Sequence, residues 1–195
     1  MKILWLLLIV STVSLIFAGC SVNPVTGEEE FVLVSPEQEK QMGAEAAAQV
    51  EKELGQSVKD QQLANYIDSV GQGIARISHT PAETFSYKAI DHNSVNAFAL
   101  PGGYVYITKG LLKELNSEAQ LAAILAHETV HVAARHAAER ITRDTLIGIG
   151  FSVASSRAGA SNAVKVADIV RQLEGMSYSR SQERQADEVG LDYLV

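Results

Sequence analysis

Residues Ala126 to His136 read A-H-E-T-V-H-V-A-A-R-H, and the five residues from His127 to His131 decide how the rest of the chain is read. On a helix, two imidazoles four positions apart differ by only about 40° around the axis. They stand one turn apart on one face with Glu128 beside them, which is the arrangement that binds zinc and activates a water. The helix is predicted to open at Ser117-Glu118-Ala119-Gln120, a capping box with Glu118 well placed against the helix dipole. It should run through Leu121, Ile124 and Leu125 to about Arg140, which puts the motif well inside it. On such an unbroken helix His136 lies roughly 140° from His131. His136 is therefore excluded as a third ligand.

A catalytic zinc needs three protein ligands and one open position. Cys20 is the only cysteine, so an intramolecular disulfide and a cysteine zinc site are both excluded, and the ligands must be His, Asp or Glu. The best third ligand is Glu183. It stands in Ser179-Arg180-Ser181-Gln182-Glu183-Arg184-Gln185-Ala186-Asp187, where Ser179 and Gln182 make another capping box, so a new helix begins that can pack across the first. Asp187 follows one turn later on the same face, suited to accept the second ring N–H of a ligating histidine. Taken without the first helix, Glu183 and Asp187 would be read as an ordinary solvated face. His79 and His92 lie in turn-like surroundings and are read as surface histidines.

Upstream, Phe85 to Ile90 alternates as a strand, and Tyr104 to Thr108 is a second strand after Pro101-Gly102-Gly103. Between them Val95 to Leu100 suits either an exposed edge strand, which pairs with extended peptide, or an ordinary structural hairpin. Ser35-Pro36-Glu37-Gln38 starts a helix that should reach about Leu54. A second helix carries Leu63, Ile67, Val70, Ile74 and Ile77 on one apolar stripe. Downstream of the motif, Thr145 to Val153 is apolar and interrupted by glycines, Ala154 to Ala163 reads as a loop, and Ala163 to Leu173 as a further helix.

The chain has 195 residues, 47% of them hydrophobic, enough for one sizeable core. Its net charge of −7 argues against a nucleic-acid partner, whose binding depends on phosphate neutralisation by Lys and Arg. Met1 to Ala18 has Lys2 followed by an apolar run, the build of a secretory signal and short for a spanning helix. It ends in Phe17-Ala18-Gly19-Cys20, which resembles a bacterial lipobox with Phe17 in place of the usual Leu. The resemblance makes Cys20 a lipidated N-terminus. Ser21, standing where Asp would favour inner-membrane retention, points to the outer membrane. Ser21 to Val34, with the turn-rich Asn23-Pro24-Val25-Thr26-Gly27 and the acidic run Glu28 to Glu30, reads as a tether and then a short extended segment.

His-Glu-x-x-His with a downstream Glu-x-x-x-Asp resembles the gluzincin class of zinc peptidases. More narrowly it is similar to the HtpX-like and CaaX prenyl protease type metallopeptidases, peptidase family M48, in their bacterial lipoprotein branch. The resemblance rests on Cys20 with Asn23 to Gly27, on Asn96-Ala97-Phe98 with Pro101-Gly102-Gly103, on His127 to His136 and on Ser179 to Asp187. It implies His127, His131 and Glu183 as ligands of one zinc, Glu128 as general base, and Asn96, Ala97 and Phe98 lining the substrate groove. A metzincin would need a histidine where Ala137 stands, so that class is excluded.

The expected fold is α+β and mostly helical, a zincin-like metallopeptidase domain with a small edge-exposed sheet and a zinc site between two helices. The expected division is a signal peptide over 1–19, a lipidated N-terminus and tether over 20–34, and the metallopeptidase domain over 35–195. That domain is read as truncated, because the chain stops inside an unfinished helix. The expected function is zinc-dependent hydrolysis of unfolded or misassembled polypeptides at the periplasmic face of the outer membrane, with assembly components as possible partners. The rival is a zinc-binding lipoprotein acting as chaperone or assembly adaptor, against which a retained Glu128 speaks.

Overall fold

The computed structural model describes residues 20–154 and 178–195. Expectations for the leader over 1–19, for the loop beyond Ala154 and for the helix over 163–173 fall outside these residues. In chain order the elements are β1 (Cys20–Val22), β2 (Glu29–Phe31), α1 (Pro36–Glu53), α2 (Gln61–Ile77), β3 (Ser86–Ile90), β4 (Ala97–Leu100), a 3-10 turn (Pro101–Gly103), β5 (Tyr104–Thr108), α3 (Lys109–Glu114), α4 (Glu118–Ala133), α5 (His136–Ala154) and α6 (Arg180–Asp192). The architecture is α+β and mostly helical, as expected.

The local signals work as their chemistry requires. Ser35 accepts from the Gln38 amide while the Gln38 side chain accepts from the Ser35 amide, with Pro36 at the first helical position. Ser179 and Gln182 do the same for α6. At α4 only half of the box forms: Ser117 accepts from the Gln120 amide, but the Gln120 side chain takes the amide of Asn116 instead.

The second sheet has the order β3-β5-β4, with β3 parallel and β4 antiparallel to β5, so β4 is an edge strand. Side chains alternate between its faces. Tyr87, Ala89, Ala99, Val105 and Ile107 pack with Ile67 and Ile74 of α2 and Leu121, Leu125 and Val130 of α4. Ile90, Phe98, Leu100 and Tyr106 pack with Ala46, Ala47 and Val50 of α1 on the other side. The sheet is thus a middle layer between helices. Fully buried aliphatics such as Ile67 and Leu125 each contribute roughly 1.5–3 kcal/mol. The apolar stripe of α2 stops short of its predicted end, since Ile77 overhangs the core and is exposed. Gly102 and Gly103 both have positive φ, and a Cβ on Gly103 would stand 2.1 Å from the Thr84 carbonyl oxygen, so the turn that aims β5 requires glycine.

Two expectations are corrected. The motif helix does not continue to Arg140. It ends at Ala133, Arg135 takes a left-handed φ of 58°, and a new helix begins at His136. Helix α6 spans Arg180–Asp192 with Tyr193 at its C-cap, and the Tyr193 hydroxyl meets the amide and Nδ1 of the exposed His79 at 3.1 and 2.7 Å. Finally, residues 20–34 are folded onto the domain instead of hanging free. Buried Asn23 accepts from the amides of Val25 and Thr26, closing the turn between β1 and β2, and its Nδ2 donates to Glu30 and to the Ala134 carbonyl. Arg135 donates to Ser21, to the Val34 carbonyl and to Glu39. Leu33 donates its amide to Thr142 of α5.

Candidate metal centre

Helices α4 and α6 cross at closest range beside His127, where a Cβ on Gly190 would stand 3.2 Å from the His127 backbone nitrogen. That approach lets side chains from two distant stretches meet. One ligand atom each from His127, His131 and Glu183 lies within 4.8 Å of the others. The His127 and His131 Nε2 atoms are 3.0 Å apart, and His127 Nε2 is 3.4 Å from Glu183 Oε2. Ligand atoms at 2.0–2.1 Å from a tetrahedral zinc stand roughly 3.3 Å from one another, so the His127–His131 and His127–Glu183 separations suit such an ion.

Hydrogen bonds on the far side of each ring fit the same donor set. His127 Nδ1 is 2.9 Å from Asp187 Oδ1, a carboxylate that can only accept, so the proton is on Nδ1 and the Nε2 lone pair faces inward. His131 Nδ1 is 2.8 Å from His136 Nδ1. Burial, with the neighbouring His136 and His127, pushes His131 down to about 2, which keeps it neutral, the form that ligates a metal. Three lone-pair donors converging on one point repel each other unless a cation lies between them. The three residues present could hold a metal ion.

Glu128 is on the same helix but faces the sheet. It is buried, and burial first, then the charge of Glu183, push its carboxyl up to about 8, while a hydrogen bond from the Ala99 backbone opposes them. Strand β4 therefore passes directly beside it. The register of β4 sends Asn96, Ala97 and Phe98 to different surroundings. Phe98 points to the opposite face and stacks on Tyr106 at 5.3 Å, away from α4. Asn96 is tied to Thr108 through its amide and carbonyl. Of the three, only Ala97 shares the face of Ala99 toward α4, so what β4 can offer a ligand is backbone.

Several residues at the centre escaped the sequence reading. The Tyr178 ring stacks on His131 with centroids 3.9 Å apart. Beside it lies a cavity of about 210 Å³ whose walls include Ala99, Leu100, Pro101, His131, Val132 and Tyr178. His136, fully buried, touches His131 on one side and Gln185 on the other. The pair of a second histidine near the motif and a glutamine two residues past Glu183 was visible as sequence, but their meeting depends on the break at Arg135.

Comparison with known proteins places these residues in a family. The profile of Peptidase family M48 matches residues 61–195. The mitochondrial metalloendopeptidase OMA1 of Schizosaccharomyces pombe is 32% identical over 183 residues, covering 86% of this chain and 50% of its own length. The beta-barrel assembly-enhancing protease of Escherichia coli K12 is 30% identical over 182 residues, covering 88% of this chain and 37% of its own length. This chain thus spans half or less of either relative.

Proposed function

Because this chain belongs to peptidase family M48, a family of metallopeptidases, we propose that it is a zinc-dependent endopeptidase with His127, His131 and Glu183 as ligands and Glu128 as general base. The observation that carries the reading is the meeting of three lone-pair donors from two helices beside a buried carboxyl. When bound, zinc lowers the pKa of a coordinated water towards about 7 and polarises the scissile carbonyl. Glu128 takes a proton from the attacking water and delivers it to the leaving amine, with Ala99 holding the carboxyl against β4. The Ala99 amide, by donating to the Glu128 carboxylate, favours the charged form in which Glu128 accepts a proton. Asp187 holds His127 in the tautomer that ligates.

The open edge of β4 suits a substrate in extended conformation, paired through backbone near Ala97 and Ala99. The neighbouring cavity suits one apolar side chain of that substrate. Unfolded or misassembled polypeptide presents such segments. The role proposed on this basis is quality control in the periplasm, a reading the assembly-enhancing name of the bacterial relative supports, with outer-membrane assembly components as the proposed partners. In this reading residues 1–19 are a signal peptide and Cys20 carries lipid at the outer membrane. Because Ser21 is bonded to Arg135, that anchor would hold the domain against the membrane and not at the end of a tether.

The test is zinc content together with cleavage of casein by the full chain in detergent. Glu128→Gln should keep about one zinc per chain and lose roughly 10²–10⁴-fold in activity. Cleavage at the wild-type rate would sink the assignment. Zinc binding with no cleavage by the wild type would favour the chaperone or adaptor instead.

A further inference from the structure

A ligating histidine must carry its proton on the nitrogen that does not face the metal, and something must hold that proton. For His127 the acceptor is Asp187. For His131 that position is taken by His136. Its Nδ1 meets His136 Nδ1 at 2.8 Å, and His136 Nε2 meets Gln185 Oε1 at 2.7 Å. Both ends of this row suit the same order of donors. At one end, ligation through His131 Nε2 puts its proton on Nδ1, which must donate. At the other, His136 Nε2 faces the Gln185 oxygen, an acceptor, which suits a proton on Nε2 and a lone pair at Nδ1. Both requirements give the same arrangement: His131 donates to His136, and His136 donates to Gln185.

We propose that His136 is a positioning residue for His131, fixing the tautomer and ring orientation of this ligand, and that Gln185 fixes His136 in turn. This rests on the reading of His131 as a metal ligand. The row is also an inter-helix tie, since it joins the start of α5 to α6, the helix that carries Glu183 and Asp187. Each ligating histidine is thereby held from α6, His127 directly by Asp187 and His131 through His136. His136 reaches its place only because the chain turns at Arg135, as a continuous helix would carry it away from His131.

The experiment measures zinc affinity of the full chain by chelator competition, with the His131 ring proton followed by nitrogen-15 NMR of labelled histidine. His136→Phe keeps a flat ring of similar size and removes the acceptor. It should weaken zinc binding about 10–100-fold and expose the His131 Nδ1 proton to rapid exchange. His136→Asn puts an amide oxygen near the position of Nδ1 and should restore affinity to within a few-fold of wild type. A purely packing role predicts the reverse, with Phe binding like wild type and Asn binding weakly, and that result overturns the proposal. If His136→Phe does not fold, Gln185→Leu carries the test, and unchanged affinity with an unchanged His131 proton then overturns it. Failure of the wild type to bind zinc would instead refute the site itself.

Discussion

Arg135 is the residue whose replacement tests the physical account of this fold most severely. Its guanidinium and the Glu39 carboxylate are 3.0 Å apart with only 12% and 10% of their side chains exposed. Arg135→Ala leaves a buried carboxylate without its partner, a change that costs about 3–5 kcal/mol. It also removes the donors to Ser21 and the Val34 carbonyl, which anchor the N-terminal hairpin. For a chain of 195 residues this corresponds to a fall in Tm of roughly 6–20 °C.

The sign of the pH dependence follows from Glu39. Burial raises its carboxyl above the ordinary 4.5, outweighing the opposing pull of Arg135, and without Arg135 the carboxyl rises further. A raised carboxyl favours the folded state below 4.5 and loses that advantage as pH climbs through the folded value. The deficit of Arg135→Ala is therefore full at neutral pH and shrinks on acidification, as the stranded carboxyl takes up a proton. Thermal unfolding followed by circular dichroism at pH 7 and pH 5 reads both effects. Adding Glu39→Gln to Arg135→Ala should recover roughly half the loss at neutral pH by removing the stranded charge. A single variant within about 1 kcal/mol of wild type at pH 7, or one whose deficit grows on acidification, would refute the reasoning.

Further changes probe the helix crossing and the site. Gly190→Ala puts a methyl 3.2 Å from the His127 backbone, which has little freedom to yield, so α4 and α6 should separate slightly at a cost of about 1–3 kcal/mol with weaker zinc binding; urea unfolding and metal titration measure the two. Asp187→Asn should weaken zinc binding by about 10-fold, the low end for such outer partners, because the Asp187 side chain is 73% exposed and the amide can still accept. Tyr87→Phe removes the hydroxyl that meets Thr129 at 2.8 Å, but Thr129 keeps its bond to the Leu125 carbonyl, so the loss in urea unfolding should be near 0.5 kcal/mol.

Much of this arrangement was legible from local chemistry. Ser35, Ser117 and Ser179 start their helices because each offers an oxygen to an otherwise unpaired amide, which depends on neighbouring residues alone. The spacing of His127 and His131 likewise needs nothing beyond helical geometry, and Glu183 with Asp187 needs only a second helix. What was not legible depends on contacts distant in sequence. Arg135 is neither Gly nor Asn, so nothing local announces a left-handed residue there. Its conformation is held by Ser21, Val34 and Glu39, about 100 positions away. Asn23 to Gly27 did announce a turn, but the bond from Asn23 to Ala134 that makes the turn part of the domain spans 111 residues. The face to which Phe98 points is set by the pairing of Ala97 with Ile107, which alternation within one short strand leaves open.

These distant contacts share one place, the end of α4. A helix that continued through Arg135 would point His136 away from His131 and leave the His131 Nδ1 proton without its present acceptor. The break brings His136 back, but a left-handed non-glycine residue costs about 1–2 kcal/mol and persists only where its surroundings hold it. Those surroundings are the N-terminal hairpin and α1, bonded through the Arg135 side chain, with the Asn23 bond to Ala134 beside it. The hairpin thus acts on the centre without touching a ligand: it stabilises the break, the break places His136, and His136 meets His131. An anchor at Cys20, the first residue of β1, would attach at the head of that same series of contacts.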